Sequence, residues 1–237
     1  MTPSPRPDRH PQDWYVEQTW TVHALMQMVM FDLDYTIWDP CCGLGTIPGA
    51  FAAHGFMAFG TDLVDRTAAC LAPTLWFMGT HDLLGAQYHH LEAEPLLSVV
   101  FNPPYGCADD IAEHCVRRAL SMASGLVCAL LPIRWRASEK RFRFLGWEYR
   151  PRYIFEFCDR PSMPPGTALF DRDEKTGGLS AWRRGKTDYA WYVWDRRCPS
   201  PDTITRIIPP RTAAQKRLDR AFDLRRVGAI PQLEEAA

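Results

Sequence analysis

The strongest constraint on this chain is the step from Leu96-Leu97-Ser98-Val99-Val100-Phe101 into Asn102-Pro103-Pro104-Tyr105. The apolar run reads as a buried strand. Two successive prolines forbid its continuation, because each has a fixed φ and lacks the N–H that a ladder needs. The strand therefore stops abruptly and leaves an amide, a carbonyl and an aromatic ring in a rigid turn at a sheet edge. Such a turn can grip a planar group that carries an amino nitrogen. Pro-Pro alone reads by default as a simple strand stop, so the upstream sequence has to decide.

Three upstream segments repeat the pattern of an apolar run that ends in a carboxylate. Ile37-Trp38-Asp39 leads into Pro40-Cys41-Cys42-Gly43-Leu44-Gly45-Thr46, whose two glycines let the backbone approach a ligand before a helix that starts near Thr46. Phe56-Met57-Ala58-Phe59-Gly60-Thr61-Asp62 ends in an acid 23 residues beyond Asp39, a spacing suited to ribose hydroxyls. Leu75-Trp76-Phe77-Met78-Gly79-Thr80-His81-Asp82 is the third.

Helical patterns separate these strands. Val22, Leu25, Met26 and Val29 recur at helical spacing within Trp14–Met30, and Thr46–His54 and Asp109–Ser124 read as crossover helices. Gly125–Leu131 is a further buried strand, Arg152–Phe157 and Tyr189–Trp194 read as the last two strands, and Thr212–Val227 as a final helix. The alternation predicts an α/β fold, with a mostly parallel sheet and helices on both faces. In such sheets ligands bind beyond the carboxyl ends of the strands, where all four motifs fall.

With 237 residues, 46% of them hydrophobic, the chain can bury one core without staples. The expected organisation is a proline-rich arm at 1–13, a domain at 14–210 carrying an inserted loop at 158–187, and a helix and tail at 211–237. No apolar run of about 18 residues occurs and no signal-peptide profile opens the chain, so a cytoplasmic location is expected. The eight cysteines form no Cys-x-x-Cys pair and read as reduced thiols. His81, His89 and His90 lack a cysteine or carboxylate at ligand spacing, so no metal is expected.

Charge is divided between the halves. Residues 1–130 carry 5 Lys and Arg against 14 Asp and Glu, whereas residues 131–237 carry 22 against 14. The basic half includes Arg134, Arg136, Lys140, Arg141, Arg143, Arg150 and Arg152, then Arg183, Arg184 and Lys186 in the inserted loop. Positive charge without local compensation is the footprint of a nucleic-acid binder, with Trp182 available to stack. Gly185-Lys186-Thr187 is not a phosphate loop, since Ser180 stands where glycine is required and a strand follows instead of a helix.

The ordered set of motifs resembles the S-adenosylmethionine-dependent amino-methyltransferases, and within them the adenine-N6 DNA methyltransferases, over roughly Trp20 to Trp194. Arg160–Gly166 and Asp188–Trp194 look like segments of small methyltransferases carried by phages and prophages. The resemblance implies a Rossmann-like class I methyltransferase sheet with an antiparallel last strand, S-adenosylmethionine as cofactor, and DNA as substrate in a bacterial or phage-infected cell. It assigns Asp39, Pro40, Cys41, Gly43 and Gly45 to the methionine end of the cofactor, Asp62 and Leu63 to the ribose, and Asp82 and Leu83 to its adenine. Trp20 and Thr21 resemble an additional cofactor-contacting segment. Asn102, Pro103, Pro104 and Tyr105 match the catalytic tetrapeptide, with Asn102 also beside the cofactor. Tyr105, Arg134, Arg136, Arg183, Arg184 and Lys186 are the candidates for nucleic-acid contact. The tetrapeptide specifies a planar amino nitrogen, not its carrier, so transfer to RNA adenine N6 or protein glutamine N5 stays open. So does a nucleic-acid-binding protein of the same fold that has lost catalysis. Only about 130 residues follow the tetrapeptide, too few for a separate target-recognition domain, which leaves sequence reading to the 158–187 loop or a partner.

Overall fold

Burial on both faces makes two strands central: every residue of β4 (Leu97–Phe101) and β5 (Leu126–Pro132) is buried, as their uninterrupted apolar runs require. The structure, a computed structural model, describes residues 13–69, 76–105, 110–183 and 185–228. Leu75, Asp109, Arg184, the arm up to residue 12 and the tail from 229 lie outside the described residues. β1 (Thr36–Asp39), β2 (Ala58–Asp62) and β3 (Phe77–Thr80) flank β4 on one side, and β7 (Tyr189–Asp195), β6 (Tyr153–Phe157) and β8 (Ile204–Ile208) flank β5 on the other. The order across the sheet is β3-β2-β1-β4-β5-β7-β6-β8. β7 runs antiparallel to both β5 and β6, and all other pairings are parallel.

Helices cover both faces. α1 (Thr19–Met28) and α2 (Thr46–Ala52) pack with Ile37, Val100, Leu126, Cys128 and Leu130. On the other face α3 (Ile111–Met122) buries Ala112, Cys115, Val116, Ala119 and Leu120, a single helical stripe, against Val99, Phe101, Val127 and Ala129. α4 (Glu139–Phe142) runs on into a π-helical stretch, Arg143–Glu148, whose Phe144 joins this second layer. α5 (Ala213–Arg226) starts with a capping box between Thr212 and Gln215.

β8 is absent from the sequence expectation, which ended the sheet at Tyr189–Trp194. It pairs with β6 alone, and of its five residues only Ile208 is buried. An edge strand of this kind has neither the buried run nor the alternation by which a strand is recognised. Its consequence is positional: it runs parallel to β6, so Pro209–Thr212 and the start of α5 fall at the same rim as Asp39, Asp62 and Asn102.

Candidate active site at the carboxyl rim of the sheet

β1 aligns Asp39 with Gly60 of β2, and β2 aligns Asp62 with Thr80 of β3. β4 lies on the other side of β1, so the strand order reverses at β1 and opens a crevice between β1 and β4. Asp39, Asp62 and Asn102 therefore come to one rim from three adjacent strands.

The loop after β1 is built on two left-handed glycines, Gly43 at φ +50° and Gly45 at φ +69°, the latter capping α2. A side chain at Gly45 would lie 2.1 Å from the Trp76 ring, so the turn has no room for one. Asp39 Oδ1 accepts the Cys41 N–H at 2.9 Å, and Asp62 Oδ2 accepts the Gly43 N–H at 2.8 Å. Asp62 Oδ1 also accepts from Arg66 Nη1 at 2.7 Å and from the Val64 N–H at 3.1 Å. Pro40 is buried and Cys41 half-buried. Leu63 is exposed, Leu83 lies in the core beside Trp38, and Asp82 turns its Oδ1 to the Leu84 N–H in an exposed turn.

A strap formed by residues 14–18 crosses this rim. Its backbone pairs with the inserted loop: Val16 N–H donates to Pro164 O at 3.0 Å and Gly166 N–H to Trp14 O at 3.1 Å. Trp14 packs over Gly43 and Gly166, and the Arg66 guanidinium lies 4.5 Å from the centre of its ring. Asn102 donates its side-chain amide to Tyr15 O at 3.1 Å and to Glu17 Oε2 at 3.0 Å. That arrangement orients the amide, and Asn102 Oδ1 is left buried with no hydrogen-bond partner. Burial pushes the Glu17 carboxyl above its usual range, against the opposing pull of its hydrogen bonds with Asn102 and Thr46. Burial, and next the Glu17 charge, raise Asp39 well above its own. The strap was not legible as part of the site: Tyr15 and Glu17 belong to no motif, and Arg66 lies in a polar stretch without pattern.

Tyr105 follows the two prolines with its ring stacked on Tyr15, 6.2 Å between centroids and 18° between planes, and its hydroxyl 3.0 Å from that of Tyr189. Burial, then the neighbouring Tyr189, pushes its phenol well above the usual range. Trp20 and Thr21 are buried in α1. Trp20 packs edge-on to Phe157, and Thr21 donates its hydroxyl to Gln18 O while its carbonyl accepts from the Trp191 indole N–H. α5 reaches the glycine loop, where Arg226 donates to Leu44 O at 3.2 Å and to Thr46 Oγ1 at 2.8 Å.

The basic residues divide into two groups. The expectation of uncompensated charge over 134–152 holds only for Arg134, Arg150 and Arg152, which have no carboxylate partner among the described residues; Arg150 and Arg152 donate to carbonyl and hydroxyl oxygens instead. Arg136 pairs with Glu156, Lys140 and Arg141 with Asp110, Arg141 also with Glu113, and Arg143 with Glu148. Two of these four acids, Asp110 and Glu113, come from the start of α3, outside the basic half of the chain. Arg134 is exposed. Arg183 and Lys186 are exposed on the inserted loop, where Arg183 lies 3.5 Å from Asp173. Trp182 is not available for stacking: it is buried, and its indole N–H donates to Val16 O at 3.1 Å. Among the described residues no group of His, Cys, Asp or Glu could hold a metal ion, and no helix is long and apolar enough to cross a membrane.

No family model matches the chain, and neither does any curated protein. Solved structures do. The modification subunit of a proposed type I restriction enzyme from Vibrio vulnificus matches with a TM-score of 0.55 at 9% identity, over 92% of this chain and 54% of that one. A proposed class I S-adenosylmethionine-dependent methyltransferase from Listeria monocytogenes matches with a TM-score of 0.51 at 13% identity, over 88% of this chain and 69% of that one. The chain has a class I methyltransferase fold. A proposed hemolysin from Lactococcus lactis also matches, with a TM-score of 0.50 at 8% identity over 80% of this chain and 91% of that one. A fold shared that widely does not fix an activity, which has to be read from the rim itself. This chain spans about half the length of the restriction-enzyme subunit.

Proposed function

We propose that the protein transfers the methyl group of S-adenosylmethionine to the exocyclic N6 amino group of adenine in DNA. The observation that carries this reading is the Asn102 amide. Its two N–H groups are committed to Tyr15 and Glu17, and its oxygen is a buried acceptor without a donor. Leaving such an acceptor unpaired costs about 1–3 kcal/mol, and an amino N–H of the substrate would satisfy it.

The residues at the rim suit the cofactor. Its sulfonium and ammonium are cationic, and Glu17, Asp39 and Asp62 stand close enough that the charges of Glu17 and Asp62 raise the Asp39 pKa. The Gly43–Gly45 loop with Asp39 would take the methionine end. Asp62 would take the ribose, since two carboxylate oxygens offer about four acceptor positions and three are used here by Gly43, Val64 and Arg66. When bound, the cofactor supplies an electrophilic methyl group.

The chain's own residues make the amine reactive. An aromatic amine is a poor nucleophile because its lone pair is delocalised into the ring. Asn102 Oδ1 and the Pro103 carbonyl would accept its two N–H bonds and draw the nitrogen toward a tetrahedral geometry. The Glu17 carboxylate, accepting from the Asn102 amide, polarises that group and makes Oδ1 a stronger acceptor. Tyr105 would stack on the base, worth about 1–3 kcal/mol in nucleic-acid complexes. A base within a duplex would first be flipped out, at a cost of a few kcal/mol. Positioning and electrostatics carry the step, so no strong general base is required.

Incubation with methyl-labelled cofactor and DNA, followed by nucleoside analysis, tests the reading. Label in N6-methyladenine that disappears in Asn102→Ala is the expected result. Label that enters only RNA or protein, or none at all, removes it.

A further inference from the structure

The structure contains a second basic feature beside the rim, in which Arg183 of the inserted loop meets the cationic residues of α5 and of the turn before it. The inserted loop and α5 enclose a groove of about 810 Å³ whose lining includes six cationic side chains, Arg160, Arg183, Arg211, Lys216, Arg217 and Arg220, against one acid, Asp159. Four of the six are paired. Arg160 meets Asp188, Arg183 meets Asp173, Lys216 meets Asp159, and Arg211 meets both Asp159 and Asp219. The other two have no carboxylate partner among the described residues. Arg220 gives its donors to the carbonyls of Leu179 and Ala181 at 2.7 and 2.9 Å, which fixes its guanidinium without neutralising it. Arg217 is exposed on the same helix. Burial and the like charge of Arg183 both work against the charged form of Arg220, so an anion between them would relieve a strain already present.

The groove adjoins the candidate active site. Gln18 lines it, whereas Glu17, one residue earlier, accepts from Asn102. The loop that forms one wall also carries Met163, whose sulfur lies 3.6 Å from the Tyr105 hydroxyl, and ends two residues before Tyr189, which bonds to Tyr105. The other wall follows β8, whose carboxyl end lies at the same rim.

We infer that this groove binds the phosphodiester backbone of the DNA flanking the target base. The inference rests on the proposed DNA substrate for its choice of polyanion, while the groove itself rests on charge and geometry. Contacts to phosphates set register and orientation whatever the sequence, which is what a basic groove beside the target pocket would supply.

The test uses the full chain without cofactor and a fluorescent 20-base-pair duplex, with affinity measured across a salt series. The variants are Lys216→Ala with Arg217→Ala, both exposed, and Arg206→Ala on the far part of β8 as a control. Each phosphate contact contributes about 0.9 to the slope of log K against log salt. The double variant should therefore lose at least about tenfold in affinity at 0.1 M salt and flatten the slope by one to two units, with an unchanged circular dichroism spectrum. The control should match the parent protein. If the double variant keeps both affinity and slope, the groove is not the clamp, whatever the methylation assay shows. If it loses them in a protein that methylates no DNA, the groove stands and the proposed activity falls. Tighter binding of an RNA duplex of equal length would overturn the choice of DNA.

Discussion

Asn102 donates its side-chain amide to the Glu17 carboxylate at 3.0 Å, a contact between residues 85 apart in sequence. It ties the turn after β4 to the strap ahead of α1, and it places a buried acid directly behind the group proposed to hold the substrate amine. Two predictions come from this pair alone.

The first concerns pH. Burial raises Glu17 above its ordinary value in the folded protein, so over the window between the unfolded and folded values the native state holds the proton more tightly. Stability is then fully present below the unfolded value and falls as pH rises through the folded one. Glu17→Gln removes that titration and keeps an oxygen for the Asn102 amide. It also lifts one of the charges that raises Asp39, which acts in the same direction. Urea unfolding at pH 4 and pH 8 should show the variant gaining stability relative to the parent as pH increases. A pH-independent difference would show that Glu17 is not held in a raised state.

The second is Asn102→Asp. The new carboxylate would face Glu17 at hydrogen-bond distance, so one of the two must keep a proton. The half-buried Tyr15 carbonyl would lose its donor, at a cost of up to about 1 kcal/mol. The variant should be less stable than the parent at pH 8 and closer to it at pH 5, and should transfer no methyl group. Equal stability at both values would mean that the strap does not lie against Asn102.

Gly45→Ala separates backbone strain from steric exclusion when set beside Gly55→Ala. Both glycines have positive φ, +69° and +84°, but a Cβ at Gly45 would meet the Trp76 ring at 2.1 Å, whereas nothing lies within 4 Å of one at Gly55. Left-handed strain alone costs about 1–2 kcal/mol, and overpacking adds about 1–3 kcal/mol. Thermal unfolding should therefore place Gly55→Ala modestly below the parent and Gly45→Ala well below both. Isothermal titration with S-adenosylmethionine should show weakened binding in Gly45→Ala only.

How much of this was legible follows from the range of each interaction. The acid-ended strands and the Asn-Pro-Pro-Tyr turn are local patterns: an apolar run, then a breaker, then a polar group. The parallel topology then brings Asp39, Asp62 and Asn102 to one rim without further information. Glu17 and Tyr15 reach Asn102 only through the fold, and nothing near them in sequence distinguishes an acid that will be buried. The same limit misled the charge count, because the acids that neutralise Arg136 and Arg141 sit on β6 and α3. β8 and its consequence, the placement of α5 beside the rim, escaped because an exposed edge strand carries almost no hydrophobic signal.

Arg226 offers the sharpest separation between cofactor and DNA. It holds the glycine loop by its bonds to Leu44 O and Thr46 Oγ1, while Asp223, one turn earlier, accepts from both the N–H and the hydroxyl of Thr19 at the start of α1. α5 thus fastens the loop from behind without lining the basic groove at that position. Two hydrogen bonds of this kind contribute about 0.5–1.5 kcal/mol each. Arg226→Leu should raise the KM for S-adenosylmethionine by about tenfold, which corresponds to about 1.4 kcal/mol, and should leave kcat and the affinity for DNA near the parent values. Arg226→Lys, which restores one donor, should recover part of the loss. A drop in kcat with KM unchanged would instead place Arg226 in the chemical step, and a drop in DNA affinity would extend the groove to the end of the helix.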